Sequence, residues 1–73
     1  MFEIYVQLLN EGTIVYRPVP ATIVAKSICD INGEETYDLE VETWEFPPGS
    51  RVTYAKKNLQ GELVPVAISL IEA

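Results

Sequence analysis

The sequence contains no histidine, only one cysteine and no recognisable catalytic or nucleotide-binding motif. Histidine is the commonest general base and metal ligand in proteins, so its absence removes the simplest routes to acid–base and metal chemistry. Cys29 is followed by Asp30, whose negative charge should raise the pKa of the neighbouring thiol. We expect Cys29 to be a small buried hydrophobic residue in a reducing compartment. The sequence therefore predicts a protein that is not an enzyme, with no cofactor and no metal site.

Long hydrophobic runs are also missing. No apolar stretch approaches the roughly 20 residues that a membrane-spanning helix requires. From Met1 the chain passes directly into a strand-like segment, without the charged and apolar regions of a signal peptide. We expect a cytoplasmic protein with no membrane partner, and a single small barrel domain formed by residues 1–73.

Basic residues are absent from the middle of the chain. Residues 27–50 contain no lysine or arginine but seven acids, namely Asp30, Glu34, Glu35, Asp38, Glu40, Glu42 and Glu45. This window carries a charge of −7, and the four acids and five bases elsewhere give +1, which together make the net charge of −6. Such a surface repels nucleic acid and attracts basic molecules. The charge pattern predicts a basic protein partner and no nucleic acid.

Short alternating segments predict an all-β fold. We expect strands at residues 2–9, 13–16, 21–25, 36–43, 51–56 and 62–71, and no segment has the sustained 3.6-residue period of a helix. Pro18 and Pro20 should interrupt the sheet between the second and third of these strands. Five or six short strands in so small a chain predict an antiparallel barrel of the SH3-like type.

Asn32-Gly33 is the strongest hairpin signal, because this pair favours a type I′ turn. The expected opposite pairs are Ile28 with Tyr37, Lys26 with Leu39, and Val24 with Val41. Lys26 would then lie on an apolar face, so we expect an irregularity near residues 25–27. In the returning strand, residues 36–43, Asp38, Glu40 and Glu42 would share the exposed face.

Two turns and the last strand give further expectations. Gly12 and Gly49 occupy turn positions that need a positive φ, and Pro48-Gly49 suits the centre of a type II turn. Residues 62–71 are apolar on both faces of the predicted strand. A small barrel covers only one of those faces, so a homodimer that buries the other is expected.

The sequence leaves two binding sites open. The first is an acidic face for a basic partner, as in small immunity proteins or inhibitors, formed by Glu34, Glu35, Asp38, Glu40, Glu42 and Glu45. The second is an aromatic groove for a small ligand or peptide, formed by Tyr37, Trp44 and Tyr54, with Trp44 the most exposed of the three. A third interpretation gives the acids no role beyond solubility. The salt dependence of binding distinguishes the two hypotheses, since only the acidic face should lose affinity for its partner steeply as salt is added.

Two sequence strings resemble an uncharacterised group of short bacterial proteins. They are LLNEGT at residues 8–13, followed by Val15 and RPV at residues 17–19, and WEFPPGS at residues 44–50. The likeness covers most of the chain. It implies a bacterial source and a small barrel, and it brings no activity or functional residues with it.

Overall fold

The computed structural model describes residues 2–35, 37, 38 and 40–71. It contains six strands: β1 (Phe2–Leu9), β2 (Val15–Ala25), β3 (Ile28–Ile31), β4 (Thr43–Trp44), β5 (Arg51–Leu59) and β6 (Glu62–Leu70). The described residues include no helix, so the all-β prediction is confirmed. No helix in this part of the chain is long and apolar enough to cross a membrane.

The strands form one sheet that closes into a ring of hydrogen-bonded pairs. The strand order is β2-β3-β5-β6-β1-β4, and an additional β2–β1 pairing joins the two sides. All but one of the pairings are antiparallel. The exception is β1 with β6, which run parallel and meet at Tyr5 and Val66. The expectation of a wholly antiparallel sheet is therefore wrong, because ring closure brings the first and last long strands side by side in the same direction.

The core lies inside this ring. On β1, alternate residues Ile4, Val6 and Leu8 are buried, as the two-residue period of a strand requires. Opposite strands add further buried side chains: Val19, Ala21, Cys29, Ile31, Val52 and Ala67, with Trp44 and Phe46 from the β4 region. Cys29 is fully buried, which confirms the expectation that it is a core residue.

Pro18 and Pro20 do not interrupt the sheet, contrary to the sequence expectation. They lie within the continuous strand β2, opposite Tyr5 and Glu3 of β1. The Pro20 carbonyl accepts a hydrogen bond from the Asn32 amide at 2.9 Å, so Pro20 directs its backbone groups away from β1. Pro18, two residues earlier, points the same way. Both prolines therefore occupy positions whose missing N–H groups are not needed for the β1–β2 pairing.

The predicted hairpin at Asn32-Gly33 is wrong. Strand β3 pairs with β2 and β5, and the described residues between Ile31 and Thr43 belong to no strand. The tight hairpin instead lies at Lys26-Ser27, where Ser27 has a φ of 61° and Ala25 pairs with Ile28. A register shift between Ile23 and Ala25 accompanies it, next to the expected irregularity at residues 25–27. Of the predicted strand at residues 36–43, Thr36 and Leu39 lie outside the described residues.

The turn predictions at Gly12 and at Pro48-Gly49 are confirmed. Gly12 and Gly49 have φ values of 79° and 93°. The Ser50 amide donates to the Pro47 carbonyl at 3.1 Å, which together with the positive φ of Gly49 is the arrangement of a type II turn.

Strand β6 buries Val66 and Ala67 and leaves other apolar side chains in solvent. The exposed fractions are 68% for Leu63 and 50% for Leu70. The homodimer expected to cover such residues stays a prediction.

Candidate functional site

The acidic segment, residues 34–45, connects β3 to the region of β4 and carries six of the seven acids in the basic-free window. Its far end is attached to the sheet, since β4 pairs with the end of β1 and the Glu45 amide donates to the Gln7 carbonyl at 2.8 Å. Near its start, the Tyr37 amide donates to the Gly33 carbonyl at 2.9 Å. Both ends of the segment are therefore held by backbone hydrogen bonds.

Asp38 organises the middle of the acidic segment. Its carbonyl accepts from the amides of Val41 and Glu42, each at 3.0 Å. Its side-chain Oδ1 accepts from the Glu40 amide at 2.9 Å. These bonds coil the chain into a turn, so Asp38, Glu40 and Glu42 do not line one face of a strand. The predicted strand geometry of these acids is wrong, while their role as a binding surface stays a prediction.

Glu42 is the one acid of the segment that is largely withdrawn from solvent. Its side chain is 11% exposed and forms an ion pair with Arg17 on β2. The same carboxylate atom, Oε1, accepts a hydrogen bond from Trp44 Nε1 at 2.8 Å. A carboxylate with two partners of this kind holds the segment against β2, and it is less available to an external partner than its neighbours are.

The aromatic residues of the predicted groove serve mainly the interior. Trp44 is only 2% exposed, so the expectation that it is the most exposed aromatic is wrong. Its ring packs against Tyr37 with centroids 4.6 Å apart, whereas the ring of Tyr54 packs against Phe2 at 5.3 Å. The structure brings Tyr37 and Trp44 together, and it pairs Tyr54 with a different ring.

The remaining acids of the segment face solvent without a basic partner. Glu34, Glu35, Asp38, Glu40 and Glu45 are all exposed. Within the described residues the ion pairs are Arg17 with Glu42 and Arg51 with Asp30. The two hydrogen bonds from Arg51 hold the pKa of the Asp30 carboxyl below its ordinary value. Five of the seven acids in the window therefore keep their charge unpaired.

A cavity of about 490 Å³ lies between the acidic segment and β2, beside the contact of Glu42 with Arg17. Asp38, Val41, Glu42 and Trp44 line one side, and Arg17, Pro18, Val19 and Pro20 line the other. Val41 is 73% exposed, so the cavity has an apolar rim next to carboxylates. The β2 wall was missed by sequence reasoning, because the two prolines were interpreted as a break. The Arg-Pro-Val-Pro string at residues 17–20 was the available signal.

The described part of the chain shows neither a reactive cysteine nor a metal-binding cluster. Burial, with a smaller effect of the Asp30 charge, raises the pKa of the Cys29 thiol to about 11, so this thiol stays protonated at neutral pH. Among the described residues, no three Cys, Asp or Glu side chains come together as a metal site.

Comparison of this chain with protein-family models, with curated proteins and with solved structures gives no match.

Proposed function

We propose that this protein is a non-catalytic interaction domain that binds a basic protein partner through the acidic segment, in the manner of an immunity protein or inhibitor. The observation that carries the proposal is the group of five exposed acids without an ion-pair partner on one short, anchored segment. Seven acids, less the two that are paired, leave a local charge of −5. Charge of one sign gathered in this way steers an oppositely charged partner and accelerates its association.

The cavity beside the segment suits the side chain of a basic residue. Lysine and arginine carry an apolar stem that ends in a charged group. The exposed Val41 and Pro18 side chains offer contact for such a stem, and the Asp38 carboxylate offers an acceptor for its charged end. Asp38 and Glu42 are already positioned by the bonds described above, so the segment needs little ordering when it binds.

The aromatic groove is the weaker alternative. A ligand groove built on Trp44 would need its ring face in solvent, and that ring is 2% exposed. Tyr37 and Trp44 instead brace the acidic segment from within.

The wider classification is part of the same proposal. We assign the closed ring of five strands, to which β4 is attached through β1, to the SH3-like barrel class, and the protein to the bacterial cytoplasm. The lone buried thiol of Cys29 fits a reducing compartment, and the two sequence strings that resemble short bacterial proteins support the source.

The test is capture of the partner from a bacterial lysate by the tagged protein, at low and at high salt. One variant removes three unpaired acids of the segment, Glu34→Gln, Glu40→Gln and Glu45→Gln, and leaves Asp38 and Glu42 to hold the turn. We expect the wild type to capture a basic protein at low salt and release it at high salt. The variant should capture far less of it.

The matched control makes the same change in net charge outside the segment. Glu3, Glu11 and Glu62 are exposed. The control therefore combines Glu3→Gln, Glu11→Gln and Glu62→Gln, which also removes three negative charges. This control should capture the partner as the wild type does. Equal loss in both variants would show that total charge governs capture, and an unchanged first variant would show that the segment is only a solubility feature.

A further inference from the structure

Strand β5 has one edge that is only partly covered. It pairs with β6 from Val52 to Leu59. On the other side, β3 covers only Arg51, Val52 and Thr53. Within the part of the chain that the structure describes, no strand lies beside residues 55–59, which we name the β5 edge.

The backbone of the β5 edge presents hydrogen-bonding groups to solvent. The Tyr54 amide donates to the Ser27 carbonyl at 2.9 Å. The backbone N–H and C=O groups of Tyr54 therefore face the β3 side of the strand. Along a strand, the backbone N–H and C=O groups of successive residues face alternately the two neighbouring strands. Lys56 and Asn58 therefore direct their N–H and C=O groups to the open side, while Lys57 directs its own towards β6.

Prolines lie on two other strands of this sheet, at positions whose backbone groups face away from one neighbouring strand. Pro65 on β6 lies directly opposite Lys56, and in an antiparallel pair both residues point outward or both inward. Pro65 therefore directs its backbone groups away from β5, towards the side of β6 that meets β1 at Val66. Pro18 and Pro20 direct their backbone groups away from β1, and the Pro20 carbonyl accepts from the Asn32 amide. The β5 edge contains no proline and keeps its donors.

Positive charge surrounds the β5 edge. Lys56 and Lys57 lie on it, and Lys26 lies in the turn whose Ser27 carbonyl accepts from Tyr54. These are three of the five basic residues of the chain, and all three are exposed. None forms an ion pair within the described residues. Two copies of the chain that met through this edge would oppose lysine to lysine, which disfavours self-pairing.

We propose that the β5 edge binds an extended acidic segment of a partner protein by strand addition. The incoming strand continues the line of β3 and pairs with the backbone of Lys56 and Asn58. Lys56 and Lys57 project from opposite faces of β5, so the acidic side chains of the incoming strand meet Lys56 on one face or Lys57 on the other, with Lys26 in the adjacent turn. This surface is separate in sequence from the acidic segment and attracts a partner of opposite charge, so neither proposal depends on the other.

The probe is a hexapeptide that alternates glutamate with valine, compared with one that alternates lysine with valine. Amide hydrogen exchange of the full chain is followed by NMR at low salt. With the acidic peptide at about ten times its dissociation constant, exchange at the Lys56 and Asn58 amides should slow about tenfold. Exchange at Lys57, which already faces β6, should change much less. No slowing with millimolar peptide, or equal slowing with the lysine peptide, overturns the proposal.

Two substitutions of Lys56 distinguish the contribution of its backbone hydrogen bond to peptide binding from that of its side-chain charge. Lys56→Pro removes both the donor and the charge at a position opposite a native proline, and Lys56→Gln removes the charge alone. We expect the glutamine variant to weaken binding and the proline variant to abolish it. Equal affinities of the two variants would show that no backbone hydrogen bond forms at Lys56. If the proline variant does not fold, the exchange pattern of the wild type still decides the question.

Discussion

Glu42 offers the sharpest test of how the acidic segment is built. Its carboxylate accepts from the nearly buried indole N–H of Trp44 at 2.8 Å and pairs with Arg17. The change Glu42→Ala removes the acceptor and leaves that donor without a protein partner. The change Glu42→Gln keeps an oxygen acceptor for the indole and removes only the charge. The two variants therefore differ chiefly in the hydrogen bond to Trp44.

The expected magnitudes follow from burial. An unsatisfied buried donor costs about 1–3 kcal/mol. The Arg17 side chain is 50% exposed, so loss of the ion pair costs about 0–1 kcal/mol. We expect Glu42→Ala to lower the free energy of unfolding by about 2–3 kcal/mol and Glu42→Gln by about 1 kcal/mol or less. In a domain of this size, 2 kcal/mol corresponds to a fall of about 8–16 °C in the melting temperature.

Urea denaturation followed by tryptophan fluorescence measures the difference, because Trp44 is the only tryptophan. Glu40→Ala is the matched control, since the exposed Glu40 has only its backbone amide in the turn, and it should stay within about 0.5 kcal/mol of wild type. If Glu42→Ala is no more destabilising than Glu40→Ala, the Glu42–Trp44 contact does not hold the segment and the reasoning fails.

Three further outcomes are expected. Gly49→Ala should destabilise the protein by about 1 kcal/mol or more, because the φ of 93° at Gly49 is unfavourable for alanine, and a melting temperature unchanged within a degree would contradict the type II turn. The thiol of Cys29 has its pKa raised from 9.0 to about 11, so its contribution to stability is complete below pH 9.0 and is lost as pH rises through 11. Urea titrations should therefore show an alkaline loss of stability that Cys29→Ala lacks, whereas equal slopes would argue against burial of the thiol. Sedimentation should detect a homodimer at high concentration that the combined change Leu63→Gln and Leu70→Gln disrupts, and a strictly monomeric wild type would refute it.

Local signals in the sequence were enough for several elements. The two-residue alternation predicted a strand at residues 2–9, and β1 has those bounds. Pro48-Gly49 predicted its turn, because a type II turn needs a residue that accepts positive φ and Gly49 is that residue. Burial of Cys29 was expected because Asp30 beside it, and no basic residue, makes a reactive thiol unfavourable.

The acidic segment could not be predicted in the same way. Its alternation of acids with apolar residues imitates a strand, but the conformation is set by contacts that are distant in sequence. The ion pair of Glu42 with Arg17 spans 25 positions, and the turn around Asp38 depends on backbone bonds that periodicity does not report. The role of Pro18 and Pro20 was likewise hidden, because the cost of a proline in a strand depends on which neighbour its nitrogen faces.

The central claim, that the acidic segment recruits a basic protein, is tested most directly by the association rate constant of the captured partner as a function of salt. Surface plasmon resonance would compare the wild type with the two triple variants, one in the segment and one outside it. We expect the substitutions at Glu34, Glu40 and Glu45 to slow association at low salt and to flatten its salt dependence, with dissociation changed much less. The substitutions at Glu3, Glu11 and Glu62 should leave both the rate and the slope close to those of the wild type. Identical rates and identical salt slopes for all three proteins would contradict the claim.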